Sequence, residues 1–109
     1  MNKILIILLF SFGLLGCVKS EQQKMQEKRD RLDLQVQKLV KNKLKDESAK
    51  FRNQWDLCGE VNAKNSLGAY TGFQRFLMSG QYIYFENDYK SDDTSMSAFN
   101  EAWNSECKK

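Results

Sequence analysis

The chain has 109 residues, 28% of them charged and 41% hydrophobic, with 17 basic against 14 acidic side chains and neither histidine nor proline. A net charge of +3 is too close to neutral to point to nucleic acid as a partner, and a chain without histidine holds neither a Ser-His nor a Cys-His nucleophile arrangement. Its length fits one domain, near the size at which a hydrophobic core needs reinforcement.

The first segment is Met1-Asn2-Lys3 followed by "ILIILLFSFGLLG", with no charge between Lys3 and Cys17. One cation ahead of a short apolar run has the layout of a bacterial secretion signal. A bilayer-spanning helix needs roughly 20 apolar residues, more than this run supplies. The run ends in "LLGC", Leu14 to Cys17, which resembles the lipobox of bacterial lipoproteins. The resemblance implies cleavage after Gly16, diacylation of the Cys17 thiol and acylation of the new amine. Several acyl chains anchor far more firmly than the single chain that binds only marginally. Val18 stands where aspartate is the inner-membrane retention signal in enterobacteria-like cells. The resemblance therefore implies the periplasmic face of the outer membrane. Residues 1–16 are read as signal peptide, 17–24 as lipidated cysteine and tether, and 25–109 as one small domain.

With Cys17 committed to lipid, Cys58 and Cys107 remain. An even pair in an exported chain reads as a disulfide. Closing a loop of about 50 residues stabilises a fold by roughly 3–4 kcal/mol on the chain-entropy model. Two cysteines without histidine do not compose a zinc site, so neither metal nor cofactor is expected.

From Met25, apolar residues recur at helical spacing: Leu32, Val36, Leu39, Val40 and Leu44. The stretch lacks glycine and is rich in helix formers. Lysines 38, 41, 43 and 45 lie where the helix dipole favours cations. Packing on its own domain is the expectation for this helix. A lipid-surface helix and a coiled-coil strand are the alternatives. "QWDLCGEVNAKN" then alternates, with Trp55, Leu57 and Val61 expected on one face and Cys58 on the other. "GAYTGFQRFLM" and "QYIYFEN" read as two further strands joined by a short turn. Finally, Met96, Phe99, Trp103 and Cys107 fall at i, i+3, i+7 and i+11, one face of a helix. The expected fold is α+β: an N-terminal helix, a three-stranded antiparallel meander and a C-terminal helix packed on the sheet, in two layers, with one disulfide.

The segment "CGEVNAKNSLGAYTGFQRF", Cys58 to Phe76, crowds glycines, asparagines and cations into strand-like sequence. With the preceding "LKDESAKFRN" it resembles a family of small exported bacterial and phage-associated proteins of unknown function, over about residues 44–76. The match departs at Glu47, where the family carries proline. The resemblance implies an envelope domain and supplies no catalytic residues. Asn62, Lys64, Asn65, Tyr70 and Arg75 are the candidate partner-binding residues, as donors to an anion or a partner backbone. The competing reading gives Gly59, Gly68 and Gly72 to turns and bulges, makes Asn65 a turn cap and pairs Lys64 with Glu60. Glu60, Glu86, Asp88, Asp92 and Asp93 are the carboxylates available for glycoside chemistry, but four of them fall in the loop-like "ENDYKSDD". No enzymatic activity is expected.

These readings converge on a lipid-anchored, non-catalytic envelope protein that binds another envelope component, with phage or plasmid exclusion as one version. The alternatives are an inhibitor of an exogenous wall hydrolase of the lysozyme type and a structural lipoprotein of outer-membrane assembly. The expected partners are the membrane, through the lipid, and an envelope protein.

Overall fold

The computed structural model describes residues 20–108. The apolar run, Cys17 and the expected cleavage site lie outside the described residues. Two compact units divide at Asp30 and Arg31, within the first described helix, α1 (Glu21–Leu44). In the N-terminal unit the helix opens on a reciprocal cap. The Gln23 N–H donates to Ser20 Oγ at 3.2 Å, and the Ser20 N–H donates to Gln23 Oε1 at 3.1 Å. This is the capping-box arrangement, which satisfies two otherwise orphaned donors. Residues 21–24, expected in the tether, are therefore the first turn of α1. One turn on, the Gln26 side chain donates to Asp30 at 2.9 Å.

The second unit holds the sheet. Four antiparallel strands lie in the order β1 (Lys50–Trp55), β2 (Cys58–Lys64), β3 (Tyr70–Ser79) and β4 (Tyr82–Phe85). A short 3₁₀ turn (Glu86–Tyr89) leads to α2 (Asp93–Glu106). The α+β class, the two helices and the disulfide agree with expectation. The strand count does not: the meander has four strands rather than three. β1 was hidden because "KFRNQW" is mostly polar, and because β1 joins β2 through Asp56 and Leu57 alone. That turn carries Asp56 at φ 56°, with no glycine to announce it.

Register explains a second difference. Arg52 faces Glu60 and Trp55 faces Cys58, so β1 spends one residue more than β2 over this interval. Asn53 sits at φ 53° inside this bulge. One extra residue reverses the side-chain alternation. Trp55 pairs with Cys58 across the two-residue turn and so shares its face, and not that of Val61 as alternation along one continuous strand predicts.

The two faces carry separate cores. Val36 and Val40 of α1 pack with Ala49, Val61, Phe76 and Phe85. On the opposite face Cys58 and Leu77 pack with Phe99 of α2, flanked by Met96, Trp103 and Cys107. The helices thus cover opposite sides of the sheet, making three layers where two were expected. The spacing of valines four apart places both on one stripe of α1. Leu39, expected in that stripe, is half exposed, because it lies one position off the Val36–Val40 line.

Gly59 is required by close approach. A Cβ there would stand 2.9 Å from Phe76 Cζ and 3.0 Å from Gln54 Cγ. The Phe76 ring lies against bare backbone, and Phe51 meets it edge-on at 5.9 Å. The other core is fastened covalently: Cys58 in β2 bonds Cys107 at the end of α2, their Cα atoms 5.8 Å apart. α2 itself opens on Asp92, whose carboxylate accepts from the Ser95 N–H at 2.7 Å. Among the described residues no helix is long and apolar enough to cross a membrane.

Candidate functional site

The connection from β2 to β3 is five residues, Asn65 to Ala69, held by its own asparagine. Asn65 Oδ1 accepts from the N–H groups of Leu67 (2.9 Å) and Ala69 (3.1 Å). The Asn65 backbone bonds both Gly68 and Ala69. An asparagine that satisfies its own turn is the usual way to order such a loop. The loop's apex is Leu67, 89% exposed. The hydrogen bonds of the loop leave that side chain outside both cores.

Two further contacts fix the hairpin to the turn after α1. Asp46 accepts from the Lys64 N–H at 2.7 Å and from Ser48, through its N–H at 2.9 Å and its hydroxyl at 2.6 Å. The bond from the Lys64 N–H and those from Ser48 hold the Asp46 carboxyl below the usual carboxylate range. Tyr70 donates its hydroxyl to the Ser48 carbonyl at 2.9 Å. On the Tyr70 ring rest two cations, Lys50 Nζ at 4.5 Å and Lys64 Nζ at 5.4 Å from its centroid. Among the described residues neither lysine makes an ion pair.

At the base of the hairpin, Asn62 and Gly72 make a second bulge. Asn62 pairs with Phe73 and Lys64 with Tyr70, so β3 carries the extra residue here. Gly72, at φ 100°, takes the left-handed conformation that the bulge needs, and its N–H donates to Asn62 Oδ1 at 2.9 Å.

Arg75 belongs to a different cluster. Its Nε and Nη2 both reach Glu86 Oε2, at 3.1 and 2.9 Å, while its backbone N–H donates to Glu86 Oε1 at 3.0 Å. Nη2 also donates to Asn100 Oδ1 at 2.7 Å. The guanidinium lies 5.0 Å from the Phe99 centroid and 5.2 Å from that of Trp103. Burial pushes the Glu86 carboxyl upward, but the bonds from the Arg75 backbone and side chain outweigh it and leave the carboxyl below its ordinary range. This constellation joins β3 to α2 and the 3₁₀ turn.

Of the five residues singled out in the sequence, Lys64, Asn65 and Tyr70 gather at the hairpin end. Asn62 stands at the hairpin's base with its oxygen turned to Gly72, and Arg75 faces α2. Lys64 does not pair with Glu60, which instead accepts from Arg52 (3.0 Å) and Asn53 (2.8 Å). The bond from Asn53 leads those that lower the Glu60 carboxyl, with burial opposing and Arg52 assisting. Lys50 and Leu67 complete the hairpin end and carried no sequence signal of their own.

A second concavity, about 310 Å³, opens between β4 and α2, with Leu77, Tyr84, Tyr89 and Phe99 among its walls. Tyr82, 60% exposed, continues this aromatic row outward, its ring 6.4 Å from that of Tyr84. No group of three or more metal-ligating side chains forms among the described residues. Compared with known protein families, curated proteins and solved structures, the chain matches none.

Proposed function

We propose that this chain is a lipid-anchored, non-catalytic domain of the bacterial envelope that binds another envelope component through the end of its β2–β3 hairpin. The anchor is argued from the apolar run ending in "LLGC", with Cys17 as the acylated residue. The resemblance of residues 44–76 to small exported and phage-associated proteins supports the same compartment, and makes phage or plasmid exclusion the version to test first. The binding face is argued from the hairpin. Its single strongest observation is Leu67, held almost wholly exposed by Asn65 on a loop braced against the turn after α1. Ordering such a loop in advance removes an entropic cost of binding. Lipid attachment raises local concentration, so a small contact suffices.

A wall-hydrolase inhibitor would offer a polar or cationic tip to an acidic cleft. The apex here is a leucine, and Asn65 turns its oxygen inward, which favours the first reading.

Photo-crosslinking in intact cells tests it, with a reactive amino acid at Leu67 or Tyr70 and a control at Lys28 in the N-terminal unit. Adducts to one envelope component from the hairpin positions and none from Lys28 are expected. Absence of any adduct from either hairpin position overturns the assignment of the face. A phage challenge with and without the gene tests the exclusion version, and unchanged infection rejects it.

A further inference from the structure

We infer that the envelope component met by the hairpin end is an anionic lipid surface, with Leu67 entering the interface and the surrounding lysines meeting headgroup phosphates. The inference rests on the reading of the hairpin end as the contact face. Three observations carry it together. Leu67 projects at 89% exposure from a tight turn that the Asn65 side chain and backbone hold folded. Three residues on, Tyr70 is 38% exposed with its hydroxyl on the Ser48 carbonyl, an amphipathic side chain of the type found at membrane–water boundaries. Lys50 and Lys64 lie over that ring at 4.5 and 5.4 Å from its centroid, Lys64 also near enough to Asp46 to help lower its carboxyl.

Charge in the neighbourhood points the same way. The turn that Asp46 and Ser48 clip to the hairpin follows directly on the lysine-rich end of α1. Segment 41–50 and the hairpin end, residues 64–70, together carry Lys41, Lys43, Lys45, Lys50 and Lys64 against Asp46 and Glu47. Asp46 spends its oxygens on the Lys64 N–H and on Ser48. An exposed apolar apex on a hairpin end that carries Lys50 and Lys64 over Tyr70 matches the profile of an anionic bilayer, apolar below and negative at the surface. A single leucine and a few lysines bind weakly alone. On a chain already tethered to a membrane, that weakness is offset by effective concentration.

The test uses the full chain reconstituted in vesicles, with Leu67→Trp as reporter and the unsubstituted chain, which carries Trp55 and Trp103, as baseline. Vesicles contain lipid brominated in its acyl chains, either with 30% phosphatidylglycerol or with phosphatidylcholine alone. The expected result is a blue-shifted emission and added quenching for Leu67→Trp in anionic vesicles only, lost at high salt. Lys50→Gln and Lys64→Gln should each weaken the contact by about fivefold, with circular dichroism unchanged. Equal quenching in both vesicle types overturns the charge recognition, and no added quenching in either overturns the inference. In that last case a protein adduct from Leu67 in cells leaves the hairpin reading standing, whereas the absence of any adduct removes both.

Discussion

The two faces of the sheet solve the same packing problem differently. Beneath α1 the side chains are aliphatic and aromatic throughout, Val36 and Val40 closing over Val61, Phe76 and Phe85. Two neutral amide bonds supplement the packing there: the Gln37 side chain donates to Gln54 Oε1, and the Gln54 side chain donates to the Asp33 carbonyl at 3.2 Å. Beneath α2 the buried set is smaller, Cys58, Leu77 and Phe99, and it is reinforced by the Cys58–Cys107 bond and by Arg75 reaching Glu86 and Asn100. A 14-residue helix buries too little apolar surface to hold itself, so a covalent tie and a charged clasp take over. The difference is one of kind of reinforcement: neutral amide bonds beside the larger apolar core under α1, and a covalent tie with an ion pair beside the smaller core under α2.

Removing packing from the first face should have the largest effect. Phe76→Ala empties the space at the centre of the sheet, with an expected loss of about 3–5 kcal/mol, read as a fall in the denaturation midpoint. Gly59→Ala attacks the same ring from the other direction. Its methyl group displaces Phe76, at an expected cost of about 1–3 kcal/mol. Should Gly59→Ala prove neutral, the close approach would not be what requires glycine there.

On the second face the disulfide is the larger element. Cys58→Ser with Cys107→Ser should cost about 2–4 kcal/mol. The comparison predicts an uneven loss, in which amides of α2 exchange faster with solvent than those of residues 31–44. Uniform acceleration would mean that the two faces unfold as one unit and that the division drawn here is false.

The period of the pattern decided what could be read from the sequence. The stripe Met96, Phe99, Trp103, Cys107 is a clean helical repeat, so α2 and its disulfide partner face were legible. β1 was not, because an edge strand needs few apolar residues and the Asp56 turn lacks glycine. The bulges at Asn53 and Gly72 each shift alternation by one residue; a glycine within a strand is a local signal for the second, whereas nothing local announces the first. At the candidate site, the Asn65 turn was legible because an asparagine bonding its own loop is local chemistry. Lys64 was matched to Glu60 by their closeness in sequence. Four residues of strand separate their Cα atoms by roughly 13 Å, and the cross-strand neighbour Arg52 takes the carboxylate instead. Lys50, the first residue of β1, reaches the Tyr70 ring of β3 across the sheet, a neighbourhood that spacing along the chain does not reveal.

The Arg75 clasp tests the second face more gently. Arg75→Met keeps the backbone N–H bond to Glu86 but removes the guanidinium from a half-buried carboxylate, at an expected cost of about 1–3 kcal/mol. Because the Glu86 carboxyl is lowered in the fold, its stabilising contribution is present above the unfolded glutamate value of about 4.3 and fades as pH falls through the folded value. The unsubstituted chain should therefore lose more stability between neutral pH and pH 3 than Glu86→Gln does. Asp46, Asp92 and Glu60 are lowered too and contribute in the same direction. The difference between the two chains, rather than the whole acid transition, reports the clasp. Identical slopes would mean that Glu86 does not sense Arg75.

The smallest effect belongs to the hairpin end, which packs under neither helix. Asn65→Ala removes the acceptor for the Leu67 and Ala69 N–H groups. Both groups are exposed, so water replaces the lost bonds, and global stability should fall by about 1 kcal/mol or less. The local consequence is larger. Exchange at the Leu67 and Ala69 amides should quicken while the amides of Phe76 and Phe99 keep their protection, because local opening need not pass through either core. Were Phe76 to lose protection in step, the hairpin would belong to the cooperative unit beneath α1, and its projecting leucine would be a consequence of core packing. Independent behaviour would instead mark the loop as a separately braced surface, ordered by Asn65, Asp46 and Tyr70 and dispensable to the fold that carries it.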